Sequence, residues 1–181
     1  MQLNIPLVRM VLYGILALFS FLLFCLCAAR LNYTNHIPKG DTLNSGRSFY
    51  DPIVAELLVT TLMTMPWCAY IILAIHRRYE FGFFTSFLGE IVGLAILWIF
   101  WIAGAAGASQ IWGNLSWCQQ FEPCRVLSAL MGFAWLGWLT LTALLGFSLL
   151  FSIANKATEE PLHGRWNPRM SQYAGDSVTR V

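Results

Sequence analysis

The side chains that could perform chemistry are few, and their spacing brings no catalytic or metal-binding set together. The histidines lie in different polar segments, at His36, His76 and His163. A metal site needs several His, Cys, Asp or Glu ligands, and a nucleophilic site needs a base beside its Ser or Cys. Neither pattern occurs within the apolar segments. We therefore expect no catalytic residue, no metal site and no cofactor, and a protein that is not an enzyme.

Glu90 has the strongest claim to a function, because it lies about two turns inside a long apolar segment. A carboxylate there is costly in a membrane and often marks a proton or ion path. Such a path usually needs several polar groups at matching depth, and Glu90 has no obvious relay. We expect a structural hydrogen bond to Thr60, Thr61 or Tyr13, with transport or sensing as the alternative. Glu56 lies near the end of its segment and is expected to extend toward water.

Two cysteines and two asparagines indicate which loops lie outside the cell or in a lumen. Cys118 and Cys124 are the cysteines outside the apolar segments and share one loop. An oxidising compartment would let them form a disulfide that stiffens this turn; the alternative is two free thiols. Asn32 and Asn114 each begin an Asn-X-Ser/Thr glycosylation pattern in loops assigned to the same side. Chance matches to this pattern are frequent, so both asparagines are only candidate sites.

Four long apolar segments must position these side chains. They span about 7–29, 53–75, 83–106 and 126–153, and each reaches the roughly 20 residues that a helix needs to cross a bilayer. None has the polar stripe of a soluble amphipathic helix. Only 11% of the residues are charged, against roughly 25% in a soluble domain. We predict an all-α membrane protein with an antiparallel four-helix transmembrane bundle in residues 1–155 and a flexible cytoplasmic tail in 156–181.

The distribution of basic residues predicts that both termini are cytoplasmic. Cytoplasmic loops carry an excess of Lys and Arg, and short loops follow this rule best. The short turn between the second and third segments contains Arg77 and Arg78. On this assignment the inner side carries Arg9, Arg77, Arg78, Lys156, Arg165, Arg169 and Arg180, and the outer side carries Arg30, Lys39, Arg47 and Arg125.

Small residues recur at four-residue spacing along the third segment. Such spacing lets helix backbones approach closely, which drives helix association in lipid. We expect tight packing, either within the bundle or between copies, and we expect Gly93→Leu or Gly104→Leu to weaken association. The pairs are Gly89 with Gly93, Ala103 with Gly107, and Gly104 with Ala108.

Proline and tryptophan add two further expectations. Pro66 removes a backbone donor from the second segment, so a kink is predicted there, with Thr64 or a neighbouring helix satisfying the freed carbonyl. Tryptophans are frequent at membrane interfaces, where they anchor helices. This role is expected for Trp67, Trp98, Trp112 and Trp117.

The chain from Leu7 to Asn155 resembles the MARVEL-domain family, in particular its small fungal members. The resemblance rests on the run Ile99–Ala108, on a loop containing Trp117-Cys118 and Cys124-Arg125, and on the Ala/Gly/Trp-rich fourth segment. It implies an antiparallel four-helix bundle that acts in membrane apposition, lipid-domain organisation or vesicle traffic, without catalytic residues. Claudin-like proteins carry paired cysteines in the first outer loop, which has none here, and tetraspanins have a much larger second outer loop.

The functional prediction is a membrane organiser at the plasma membrane or an endomembrane. Its expected partners are the lipid bilayer and either further copies of itself or other membrane proteins. The net charge of +2 is too small to indicate nucleic-acid binding. The alternative is a small transporter or channel, or a subunit of one, that uses Glu90.

Overall fold

Four long helices account for the regular structure of the described chain. A computed structural model describes residues 5–37, 47–77, 87–115 and 118–155, and no β-strand occurs among them. The helices are α1 (Ile5–Asn35), α2 (Pro52–Arg77), α3 (Phe87–Ile111) and α4 (Glu122–Asn155). Each is long and apolar enough to cross a membrane. The chain is therefore a multi-pass integral membrane protein, as the composition predicts.

The helices pack as an antiparallel bundle in which each helix contacts the two that adjoin it in a ring. The packed neighbours are α1 with α2, α2 with α3, α3 with α4, and α4 with α1, so α1 and α3 lie diagonally opposite. We call the end where α1 begins and α4 ends the terminal end, and the opposite end the loop end. The side of the membrane on which the terminal end lies stays a prediction from the basic residues.

Local sequence explains where the helices begin. Pro52 is the first residue of α2, where its missing N–H costs nothing, and Asp51 precedes it with its carbonyl accepting the first helical bond from Ala55. Glu122 and Pro123 open α4 in the same way, with a negative charge near the positive end of the helix dipole.

The helices extend beyond the predicted apolar segments, because polar residues continue each helix into the membrane interface. The helix α1 ends at Asn35 rather than near Ala29, and α4 begins at Glu122 rather than Val126. Asn32 therefore lies in the last turns of a helix, and its predicted position in a loop is wrong. Residues 83–86 and the predicted tail, 156–181, lie outside the described residues.

The core is a continuous apolar layer between the helices, with a large tryptophan at its centre. Trp101 is fully buried and is the largest buried side chain. The outward faces carry large apolar side chains, as a lipid-facing surface requires. Examples that are more than half exposed are Val11, Leu18, Phe21, Val59, Ile99, Leu139, Leu150 and Ile153.

Candidate functional site

Glu90 forms the centre of a buried polar cluster that joins the diagonally opposite helices α1 and α3. Arg9 donates from Nη2 to Glu90 Oε2 in an ion pair, and Tyr13 Oη donates to Glu90 Oε1 at 2.6 Å. Arg9 is 1% exposed, and Tyr13 and Glu90 are fully buried. We call these three residues the terminal-end triad.

The carboxylate of Glu90 is matched by the other two residues in both charge and hydrogen bonding. An ionised carboxylate only accepts hydrogen bonds, and each oxygen of Glu90 has a donor from α1. The guanidinium of Arg9 neutralises the carboxylate, which a buried charge in a membrane requires. The arrangement holds α1 and α3 together across the core.

The sequence prediction for Glu90 was right about Tyr13 and missed Arg9. The other two candidates bond elsewhere: the hydroxyl of Thr60 donates to Glu56, and that of Thr61 to a backbone carbonyl in its own helix. Arg9 was assigned to the aqueous interface because it lies near the chain start. The signal that could have found it is the four-residue spacing of Arg9 and Tyr13, which places both on one helix face.

The depth of Glu90 below the end of its span stays a prediction. The described part of α3 begins at Phe87, and residues 78–86 lie outside the described residues. Glu90 is the fourth residue of that described part, and its ion pair with Arg9 lies toward the terminal end of the bundle.

Two further polar side chains of the core lie at the level of the triad. Trp98 donates to Thr142 at 2.9 Å, which sets the antiparallel register of α3 and α4. Continued for about two turns, this register places Ser148 at the level of Glu90. Ser148 and Ser152 are 0% and 1% exposed, and neither hydroxyl has a hydrogen-bond partner within the part of the chain that the structure describes. The terminal end of the core is thus more polar than the sequence prediction assumed.

A second polar contact lies deeper in the bundle. The indole Nε1 of Trp101 donates to the hydroxyl of Thr64 at 3.0 Å, and this hydroxyl donates to the carbonyl of Thr60 at 2.7 Å. The prediction that Thr64 satisfies the carbonyl freed by Pro66 is therefore wrong, since that carbonyl lies four residues before the proline. The helix α2 continues through Pro66, whose side chain is exposed. Thr64 instead ties α2 to α3.

Three glycines of α3 lie directly against side chains of α2. A Cβ added to Gly93 would collide with the ring of Trp67, and one added to Gly104 with Leu57 and Glu56. A Cβ on Gly107 would come within 2.9 Å of Ile53. Close packing at these glycines therefore occurs within the bundle, so they are not free to contact a second copy.

The other small residues of the predicted pattern divide between the two faces of α3. Gly89 and Ala108 are buried, whereas Ala103 is exposed on the outer face. Gly137 of α4 is also packed within the bundle, because it lies against the ring of Trp101. Gly132 faces open space.

Glu56 does not extend toward water as predicted. Thr60 donates to its Oε1 at 2.9 Å, and its Oε2 is buried without a hydrogen-bond partner. This oxygen lies against Gly104, as the collision of an added Cβ shows. The small size of Gly104 therefore accommodates both a carboxyl group and the side chain of Leu57.

Several tryptophans pack the bundle where the sequence analysis expected interface anchors. Trp67 covers Gly93, and Trp98 bonds to Thr142 of α4. Trp135 donates to Ser109 at 3.0 Å. These contacts join adjacent helices through both ring area and an indole N–H, so the anchor interpretation is wrong for Trp67 and Trp98. Trp112 also packs against the core, and Trp117 lies outside the described residues.

The loop end is held by an ion pair and a disulfide. Arg30 Nε donates to Asp51 at 3.3 Å, and the guanidinium lies over the ring of Phe49, 5.9 Å from its centroid. Cys118 and Cys124 form a disulfide with their Cα atoms 5.9 Å apart. The ion pair connects α1 to the residue that precedes α2, and the disulfide connects the loop after α3 to the first turn of α4. Asn114 lies exposed in the loop after α3, where the candidate glycosylation site was expected.

Possible metal ligands do not gather in the described part of the chain. Within residues 5–37, 47–77, 87–115 and 118–155, no three His, Cys, Asp or Glu side chains form a group that could hold a metal ion. Comparisons with family models, with curated proteins and with solved structures found no match.

Proposed function

We propose that this membrane protein organises its surroundings in the bilayer, by bringing lipids or other membrane proteins together, and that it performs no catalysis. The observation that carries the proposal is the terminal-end triad. Glu90 is the residue that a transport path would use, and both of its oxygens are bonded to α1 while Arg9 balances its charge. This geometry favours a structural tie over a group that binds and releases ions.

The distribution of contacts supports the same function. Side chains from within the bundle fill the space beside four glycines of α3 and α4: Trp67 at Gly93, Leu57 at Gly104, Ile53 at Gly107 and Trp101 at Gly137. Only 28% to 39% of the residues in the most apolar part of each helix are buried, so a large share of the side chains is at least partly exposed. A packed interior and a large apolar exterior suit a protein that acts through its outer surface.

The packing of these glycines changes which surface a second copy or a partner is expected to contact. Side chains of α2 already lie against Gly93 and Gly104, so a second copy or a partner would have to contact outward side chains. The expected effect of Gly93→Leu or Gly104→Leu is therefore a loss of bundle stability, with any loss of association following from it.

The resemblance to the MARVEL-domain family, carried by the third and fourth spans, supports the finer proposal. On that basis we propose roles in membrane apposition, lipid-domain organisation or vesicle traffic at the plasma membrane or an endomembrane. Its partners would be lipids, copies of itself or other membrane proteins.

The test is capture of the protein in nanodiscs cut from native membranes, followed by mass spectrometry of all co-isolated molecules. The proposal expects repeated copies, a partner protein or an enriched lipid class. A single chain surrounded by lipid of bulk composition would contradict it. Discs captured on an unrelated tagged four-span protein provide the background.

The second candidate is a small transporter, and one observation favours it. Ser148 and Ser152 place two unpartnered hydroxyls at the level of Glu90, which makes that part of the core polar enough to consider a path. Purified protein in liposomes should then conduct protons or ions, and Glu90→Gln should reduce the flux. Glu122→Gln is the control, because Glu122 is exposed in the first turn of α4. Flux that is absent, or equal in both variants, would remove Glu90 from the mechanism.

A further inference from the structure

A cavity at the loop end separates α1 from α4 and combines one cationic and one anionic side chain with an apolar wall. Its volume is about 330 Å³. Arg30 and Glu122 line it together with Tyr33, and the remaining lining is Ala29, Pro123 and Val126. This size lies at the lower end of the range for small-molecule sites, roughly 300 to 1,000 Å³.

Arg30 has hydrogen-bonding capacity that the described contacts leave unused. The residue is 5% exposed, its Nε bonds to Asp51, and its Nη1 is buried with no hydrogen-bond partner among the described residues. A guanidinium is a strong donor to phosphate oxygens, and a buried donor without an acceptor is costly. A phosphate group in the cavity would supply that acceptor.

The cavity lies at the depth where a bilayer presents phosphate. The helix α1 is 31 residues long, which corresponds to roughly 46 Å, whereas the hydrocarbon core measures roughly 30 Å. Arg30 lies near the end of α1, and Glu122 is the first residue of α4. Both charged groups therefore reach the headgroup region, while Ala29 and Val126 continue the wall with apolar side chains.

We propose that this cavity binds the headgroup of a zwitterionic glycerophospholipid. Arg30 bonds to the lipid phosphate, Glu122 pairs with the cationic amine, and the apolar wall contacts the glycerol and the first part of an acyl chain. The presence of Glu122 favours a headgroup with a cation beside the phosphate; phosphatidylglycerol, whose headgroup is neutral beyond the phosphate, offers this carboxylate no partner. The apolar wall argues against free phosphate, which carries no group to cover it.

This inference deepens the proposed function by naming a lipid class, and the role of the site rests on that function. The two can fail separately. Lipid binding is measured on the purified protein, whereas organisation is measured by what accompanies it in native membranes. If the purified protein binds the lipid but is isolated alone from native membranes, the lipid site is supported and the organiser function is contradicted.

The test is native mass spectrometry of the purified chain titrated with phosphatidylethanolamine and, separately, with phosphatidylglycerol. We expect the wild type to favour phosphatidylethanolamine by up to about fivefold, the ratio that one partly exposed ion pair provides. Glu122→Gln should bring the ratio close to one. Arg125→Gln, exposed in the same turn but outside the cavity lining, should keep the preference.

A second variant tests the cavity itself without touching a charge. Val126→Trp fills the space between α1 and α4 and should weaken binding of both lipids, with a circular dichroism spectrum and melting temperature that verify folding. Equal binding by the wild type and Val126→Trp would overturn the proposal, as would a preference that survives Glu122→Gln. Displacement of the lipid by millimolar inorganic phosphate would show that the site takes a free anion instead.

Discussion

Arg9 and Glu90, which lie 81 residues apart in the chain, form a buried ion pair across the diagonal of the bundle. Diagonal helices share little other contact, so this pair and the bond from Tyr13 are the polar connection between α1 and α3 at the terminal end. The pair also engages the carboxylate of Glu90, which would otherwise be the main candidate for binding a transported ion. The pair is therefore expected to contribute to the stability of the bundle rather than to ion transport.

Breaking one partner of the pair should destabilise the bundle strongly. Arg9→Met or Glu90→Met leaves an uncompensated buried charge, at a cost of about 3 to 5 kcal/mol. The apolar triple variant Arg9→Met/Glu90→Met/Tyr13→Phe removes both charges and the hydroxyl that would lose its acceptor. It should regain most of the lost free energy of unfolding, measured by denaturant titration in detergent micelles. Single variants as stable as the wild type would contradict the structural role.

The bond from Tyr13 can be tested separately. Tyr13→Phe removes one hydrogen bond to a charged group and should cost about 1.5 to 3 kcal/mol of unfolding free energy. The same substitution in the Glu90→Met background should cost far less, because the acceptor is already gone. An equal cost in both backgrounds would show that the two side chains are not coupled.

Leucine substitutions at Gly93 and Gly132 compare a glycine packed inside the bundle with one on its outer surface. Gly93→Leu drives a side chain into Trp67 and should lower the melting temperature and the yield of folded protein. Gly132→Leu is the matched control, since nothing lies within 4 Å of an added Cβ there. If Gly93→Leu were as stable as Gly132→Leu while self-association fell, the glycine would serve contacts between copies instead.

The disulfide between Cys118 and Cys124 should stabilise the loop end modestly. It closes a ring with a sequence separation of 6, and such a short ring is worth about 2 kcal/mol in the chain-entropy account. Cys118→Ser/Cys124→Ser should lower the stability by that amount. The matched control is Cys25→Ser, because Cys25 is an exposed free thiol. Equal thiol titres before and after reduction would show that the bond does not form.

The predicted orientation can be tested on the same disulfide. After mild reduction of intact cells, a membrane-impermeant maleimide should label Cys124, which is partly exposed whereas Cys118 is 1% exposed, because the loop end is predicted to face outward. An epitope added after Val181 should become accessible to antibody only when the membrane is permeabilised. The reverse pattern would place both termini outside and overturn the assignment from the basic residues.

The sequence predicted the architecture well because long apolar segments are a direct signature of membrane-spanning helices. It predicted packing less well, since hydropathy does not show which helix face meets which neighbour. Gly93 was correctly expected in a close contact, but its partner, Trp67, was assigned to the interface. Arg9 was missed for a related reason: a charge near the start of the first span was expected at the inner side of the membrane, and only the parallel course of the diagonal helices α1 and α3 brings it to Glu90.

The most direct test of the account uses the apolar triple variant Arg9→Met/Glu90→Met/Tyr13→Phe in native-membrane nanodiscs. If the triad is a structural tie in a membrane organiser, the folded variant should be captured with the same protein copies, partners and enriched lipids as the wild type. A stable, folded triple variant that is captured without these protein copies, partners and enriched lipids would contradict the account. So would a wild type that is captured alone while conducting ions through a path that the variant has lost.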